Sequence, residues 1–243
     1  MRIVAWNCNM ALDRKVDVLL NLKPDIAIIC ECAEPERLRA RCKSSWIESE
    51  PVWIGRNRHK GLAVFAFNGH TARLAEAYHP SLRYVAPVHV GGPTECSLLA
   101  VWAQNASAGS IRKYQLGPLR RALTRYKAFL GERPAVIAGD LNSNTIWDKP
   151  GWRNNHSTKV GIMEAMGLVS AYHAVRGELH GEESEPTLYW RDRTKDGPTY
   201  HIDYVFLPTQ WIEKVRELAV GSFETWCGAG LSDHVPVIVD VEV

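Results

Sequence analysis

Residues 134–143 read PAVIAGDLNS. Ala135 to Ala138 make a short apolar run of strand type, and Gly139-Asp140 end it with a carboxylate where the run stops. The same design recurs along the chain. Asn7 follows IVAW, Glu31 follows IAIIC, HIDYVF carries His201 and Asp203 into another strand, and SDH places Asp233-His234 ahead of the run Val235 to Val241. Because side chains alternate along a strand, Asp140 and Asn142 are expected on one face, and His201 and Asp203 likewise, each pair facing a common cleft. Carboxylates are seldom buried without partners, so their convergence would create an acidic, oxygen-rich site that needs cations or donors. Taken singly, each also fits a role as turn former or strand-end cap, because Asp and Asn favour such positions.

Outward from these clusters, strand and helix signals fill the chain. Val4 and Trp6 alternate with Ile3 and Ala5, after which Leu12, Val16, Leu19 and Leu20 recur at helical spacing up to Pro24. Ile26 to Cys30 is a second apolar run and Glu34 to Cys42 a second helix, so the chain opens with a βαβα unit. Between Trp46 and Gln104 the period changes. The segments LAVFAF, ARLAEAYH, LRYVAPVHV and CSLLAVWAQ are divided by Asn68-Gly69, His79-Pro80 and Gly91-Gly92-Pro93, which read as hairpin turns of an antiparallel sheet. Pro118 opens a helix with Leu119, Leu123, Tyr126 and Leu130 on one face, and Ile162 to Leu168 reads as another. Tyr200 to Leu207 and Val235 to Val241 read as strands, and residues 142–158 and 176–199 as loops. This order suggests two packed sheets with outer helices, in a single domain over residues 1–243 without internal repeat or linker.

The composition is that of an ordinary globular chain: 46% hydrophobic and 23% charged over 243 residues, which excludes disorder, collagen and coiled coil. Lys+Arg 29 against Asp+Glu 27 leaves +2, so an anionic partner must be held by local patches or by metal. Six cysteines show no CxxC pair and no zinc spacing, which suits reduced thiols in a cytoplasmic protein. No apolar run is long enough for a signal peptide or a membrane span, so neither export nor a membrane partner is expected.

In their order, WNCN, the Glu31 that closes the second strand, GDLNS, HIDYVF and SDHVPV resemble the endonuclease/exonuclease/phosphatase superfamily, from Asn7 to His234. GDLN or SDH alone would be a weak signal; five clusters in this order, each beside an apolar strand, are specific. The resemblance implies an α/β (α+β) fold, a four-layered αββα sandwich of two mixed β-sheets flanked by helices, and divalent-metal-dependent hydrolysis of phosphoesters. It further implies Glu31 as principal Mg²⁺ ligand, supported by Asp233 and Asn7, with Mn²⁺ able to substitute; hard oxygen donors suit both ions. Asp140 would orient or deprotonate the attacking water, and Asn142 would hydrogen-bond the phosphoryl oxygens as charge builds. His234 would contact the scissile phosphate, with Asp203 fixing its ring and favouring its charged form.

The sequence also departs from that pattern. In AVWAQNAS, Trp102 stands where abasic-site endonucleases carry Tyr, and indole cannot donate a proton as a phenol can, so leaving-group protonation falls to water. Asn105 keeps a phosphate-contacting amide in play. Cys30 and Cys32 flank Glu31 and read as two small buried residues on one face, a thiolate metal site being the alternative. His201 is either a second phosphate-binding cation or the partner of a neighbouring carboxylate. Seven basic residues, Arg112 among them, lie between Ile111 and Arg133 against one acid, and form either a solvated helix face or a track for a nucleic-acid backbone. Arg56, Arg58, His59 and Lys60 make a second basic cluster, opposed by Glu178, Glu182, Glu183 and Glu185. Trp147, Trp152, Trp190 and Tyr200 flank two of the polar motifs and either stack on bases or anchor loops. The expected function is a Mg²⁺-dependent phosphodiesterase, a nuclease acting on DNA. A phosphatase for a small phosphorylated molecule and a non-catalytic binding protein on the same fold are the alternatives.

Overall fold

The computed structural model describes residues 1–42, 45–104, 114–190 and 194–243. Strand β1 (Arg2–Asn7) leads through a 3-10 turn at Leu12–Arg14 into helix α1 (Val16–Asn21), followed by β2 (Ile26–Cys32) and α2 (Pro35–Arg41). Strands β3 (Val52–Asn57), β4 (Lys60–Ala66), β5 (Thr71–Leu74), β6 (Val85–Gly91) and β7 (Cys96–Trp102) come next. Helices α3 (Pro118–Arg125) and α4 (Lys127–Leu130) then precede β8 (Ala135–Asp140), α5 (His156–Glu164), β9 (Leu168–Ser170) and α6 (Ala171–Arg176). The chain closes with β10 (Leu188–Tyr189), β11 (Thr199–Tyr200), β12 (Asp203–Pro208), β13 (Val215–Val220), α7 (Phe223–Trp226) and β14 (Val237–Val241).

Two six-stranded sheets result, ordered β13-β14-β1-β2-β4-β3 and β5-β6-β7-β8-β12-β9, with β10-β11 as a small separate ribbon. Each large sheet is mixed: β1 and β2 run parallel in the first, β7 and β8 in the second, and the remaining pairs are antiparallel. Three apolar layers hold the stack together. Ile3, Ile28, Val64, Val88, Leu98 and Val239 fill the space between the sheets. Trp6, Leu19, Ile29, Leu38 and Trp226 pack α1, α2 and α7 onto the outer face of the first, where the Trp6 and Trp226 rings meet edge to face at 4.9 Å. Leu99, Leu119, Leu123, Phe129, Met163 and Phe206 do the same for α3, α4 and α5 on the second. Helix, sheet, sheet and helix are the four layers expected from the resemblance. No helix among the described residues is long and apolar enough to cross a membrane.

Three local expectations are corrected. Asn68-Gly69 does turn the chain, with both residues at positive φ (54° and 79°), but it carries the backbone from one sheet to the other instead of closing a hairpin. The helix expected over Ile162 to Leu168 runs earlier, from His156 to Glu164, because the Asp148 carboxylate accepts the backbone N–H groups of His156 (2.6 Å) and Ser157 (3.0 Å) and so caps a start with no apolar marker. Gly167, at φ 76°, then turns Leu168 into β9. Finally, the stretches read as loops at 142–158 and 176–199 contain a 3-10 turn at Thr145–Trp147, the start of α5 and the ribbon strands β10 and β11.

Candidate active site

The parallel pairs put the carboxyl ends of β1, β2 and β8 at one edge of the sandwich, and thus Asn7, Glu31 and Asp140 with them. Strand β12 runs antiparallel to β8 with Asp203 opposite Asp140, so its first residue arrives at the same edge. Strand β14 is antiparallel to β1, which brings the preceding Ser232-Asp233-His234 alongside Asn7. The side chains then join across the two sheets. Asn7 Nδ2 donates to Asp140 Oδ2 at 3.1 Å, and His234 Nδ1 lies 2.8 Å from Asp203 Oδ2. Ser232 Oγ donates to the Asn7 carbonyl at 2.7 Å and accepts the His234 N–H at 3.1 Å, tying the last motif to the first.

Asp140, Asp203 and His234 are all buried, and their ligand atoms lie within 4.8 Å of one another. Burial and the neighbouring Asp203 push the Asp140 carboxyl up to about 7, against the opposing pull of His234, the Asn7 amide and the Asn142 N–H. For His234, burial alone would lower the pKa, but the carboxylates of Asp203, Asp140 and Asp233 outweigh it and raise the ring to about 10. At neutral pH the ring is therefore an imidazolium beside Asp203, whose second oxygen, Oδ1, is buried without a hydrogen-bond partner among the described residues. Thr187 Oγ1 accepts the backbone N–H groups of Ile202 (2.9 Å) and Asp203 (3.0 Å) and fixes the start of β12.

Glu31 sits in a β-bulge of β2, at φ 60°, where the register with β4 slips between Cys30 and Cys32. The bulge corrects the expectation that the two cysteines share a face: Cys30 enters the layer between the sheets and Cys32 the layer beneath the helices. Burial raises both thiols well above their ordinary range, and because the two side chains enter different layers they do not share an ion. Released from strand alternation, the Glu31 carboxylate meets Lys60 Nζ at 2.9 Å, and that ammonium also stands 5.4 Å from the centre of the Trp102 ring.

The other expected residues separate. Asn142 lies beyond β8 in a left-handed turn (φ 46°), and its N–H donates to Asp140 Oδ1 at 2.8 Å, so this turn, not strand alternation, sets its direction. Asp233 is half-buried beside Ser232 Oγ, 3.4 Å away. Trp102 is a core residue, 4% exposed and packed against Tyr84. His201 lies before β12 and does not pair with Asp203: its Nδ1 bonds the Glu185 carbonyl at 2.7 Å, its ring packs on Tyr172, and burial lowers its pKa, which makes it a poor phosphate-binding cation. Asn105 and Arg112 lie outside the described residues. Arg58 of the second basic cluster pairs with Glu34.

Trp147, Trp152, Trp190 and Tyr200, assigned from sequence only to two separate loops, line one cleft of about 680 Å³ that reaches Asn142. Trp147 and Tyr200 are in contact, ring centres 4.8 Å apart, and Trp147 remains 44% exposed. Two participants were not assigned to the site from the sequence, although Lys60 stood in the second basic cluster. Lys60 reaches Glu31 only through a sheet pairing, and Lys159, fully buried at the cleft, is held down to about 8 by burial with Asp148 opposing.

No family model and no curated protein matches the sequence significantly. Solved structures do match. The 3′ phosphatase NExo from Neisseria, bound to a product DNA hairpin, aligns over all of both chains at 16% identity with a TM-score of 0.70. An AP endonuclease from Archaeoglobus fulgidus aligns over all of both chains at 17% identity and 0.66. The AP endonuclease LMAP from Leishmania major aligns with the whole of this chain and 87% of its own, at 12% identity and 0.69. Alignment from end to end, on two mixed sheets between helical layers, establishes that the chain has the DNase I-like fold.

Proposed function

We propose that the protein is a Mg²⁺-dependent phosphodiesterase that hydrolyses DNA. The observation that carries this reading is the bridge between the sheets, where Asn7 holds Asp140 while Asp203 holds a protonated His234, beside Glu31 and an aromatic cleft. Structural neighbours that include a 3′ phosphatase with bound product DNA and two AP endonucleases support it.

The donors suit the ion. Glu31 keeps a cation 2.9 Å away in Lys60, the Asp203 Oδ1 atom is a buried acceptor without a donor among the described residues, and the acids and amides at this edge are hard oxygen ligands. Glu31 and Asp233, supported by Asn7, would hold Mg²⁺, which when bound supplies positive charge against the phosphoryl oxygens. The remaining chemistry belongs to the chain. Asp140, with a pKa near the working pH, accepts the proton of the attacking water while the Asn7 amide and Asn142 N–H hold its anion in place. The Asn142 side chain and the His234 imidazolium bind the phosphoryl oxygens as negative charge develops. Asp203 keeps His234 charged and oriented. Trp102 is buried and carries no acidic proton to give, so water protonates the leaving oxygen. Nothing in this set reads a base edge, so low sequence specificity is expected.

The test is a panel of labelled single-stranded, duplex and abasic-site DNA, RNA and a small phosphoester, incubated with Mg²⁺ and with Asp140→Asn as control. DNA cleavage that the variant cannot perform supports the reading. Turnover of the small ester alone replaces it with a phosphatase, and no turnover of any substrate overturns catalysis.

A further inference from the structure

Beyond the catalytic edge, the loop that follows α6 gathers histidines from three parts of the chain. His173 lies in α6, His180 and Glu183 in the loop after it, and His156 begins α5. One ligand atom from each of His173, His180 and Glu183 lies within 4.8 Å of the other two. His173 Nε2 is 3.1 Å from Glu183 Oε1, the His173 and His180 rings stack with centres 3.5 Å apart, and His156 Nε2 is 3.2 Å from His180 Nδ1. We propose that this cluster is a structural site for a divalent transition metal, with Zn²⁺ held by His173, His180 and Glu183 and by His156 in the fourth position.

The outer partners point the donors inward. His173 Nδ1 is 2.8 Å from Ser170 Oγ and His156 Nδ1 is 3.0 Å from Ser143 Oγ, which leaves the Nε2 atom of each ring toward the cluster. Glu183 Oε2 accepts the Gly181 N–H and the Asn144 amide, both at 3.0 Å, so its carboxylate is oriented from behind. Bonds of about 2.0–2.2 Å to a tetrahedral Zn²⁺ place ligand atoms roughly 3.4 Å apart, so atoms now within 4.8 Å must close by up to about 1.4 Å and the stacked His173 and His180 rings must tilt apart to face one ion. Three imidazoles and one carboxylate form a softer set than the oxygen donors at Glu31, so the two sites select different ions. Through Asn144 and the Thr145 hydroxyl, which donates to the His180 carbonyl at 2.5 Å, the metal would clamp this loop to the turn that carries Asn142.

The experiment uses the intact chain, stripped with EDTA, returned to excess Mg²⁺ and titrated with Zn²⁺, with bound metal counted by plasma mass spectrometry. Glu31→Gln, His180→Gln and Glu183→Gln are run in parallel. The expected result is one tightly held Zn²⁺ in wild type and in Glu31→Gln, lost in the other two variants. Replacement by Co²⁺ should give the visible bands of a tetrahedral ion, and Zn²⁺ should raise the thermal midpoint of wild type. The Co²⁺ spectrum and metal count on wild type decide the matter even if a variant fails to fold. Absence of a retained Zn²⁺ in wild type, or its retention by His180→Gln and Glu183→Gln, overturns the site.

Discussion

Asp203 lies one hydrogen bond from the imidazole proposed to face the phosphate, and the pH dependence of the proposed reaction depends on that bond. In the proposed reaction Asp140 works as its anion, so the rate is expected to climb as pH rises through its pKa of about 7. His234 works as its cation, so the rate falls as pH rises through about 10. A kcat/KM profile with a plateau between those values is expected. Asp203→Asn takes away the charge that offsets the burial of His234, so the alkaline limb moves to lower pH, and the plateau rate drops by about 10²–10³-fold. A pH–rate series on both proteins checks this; an alkaline limb that stays put would mean His234 is not the titrating group. The acids and amides themselves were legible in the sequence, because each borders an apolar run. Their pairings were not. Lys60 meets Glu31 through the β2–β4 ladder, and His201, two residues from Asp203, turns away because its Nδ1 finds the Glu185 carbonyl instead.

The strands that carry these residues were legible for the same reason, since AVIAGD or IAIIC has no local alternative to burial on both faces. Connections were less so. Asn68-Gly69 has the chemistry of a hairpin turn, yet nothing local says whether the next strand joins the same sheet, and the packing between the sheets decides that it does not. Helix α5 escaped for a related reason: its cap is Asp148, eight residues before its first turn. Strand β8 itself depends on a close approach. Gly139 has φ 131°, and a Cβ there would lie 2.0 Å from the Val101 carbonyl oxygen of the parallel neighbour β7. Gly139→Ala must therefore push β8 from β7 one residue before Asp140. A loss of about 3 kcal/mol or more in urea unfolding is expected, with activity falling in the fraction that still folds. An unchanged urea midpoint would show that the two strands tolerate more separation than this geometry allows.

At the scale of the whole molecule, the catalytic edge exists only because two sheets dock. The cleft beside it likewise joins Trp147, in the turn after β8, to Trp190 and Tyr200 of the β10-β11 ribbon region. Trp147→Ala should raise KM for an oligonucleotide by the equivalent of about 1–3 kcal/mol while leaving turnover of a small phosphoester unchanged, and equal effects on both substrates would assign the ring to packing alone. The docking itself is reported by Asn7, which belongs to the first sheet and donates to Asp140 of the second at 3.1 Å. Asn7→Ala removes a donor that stabilises the Asp140 anion, while burial and Asp203, both of which raise that pKa, remain. The acid limb of the rate profile must then move above about 7, whereas a role for Asn7 through the metal alone would leave it in place. Because a buried carboxylate also loses a partner across the interface, stability should fall by about 1–3 kcal/mol, measured as a lower urea midpoint. If the variant lost activity at every pH with the acid limb unmoved, the bridge between the sheets would have no part in tuning the base, and Asn7 would act through the ion alone.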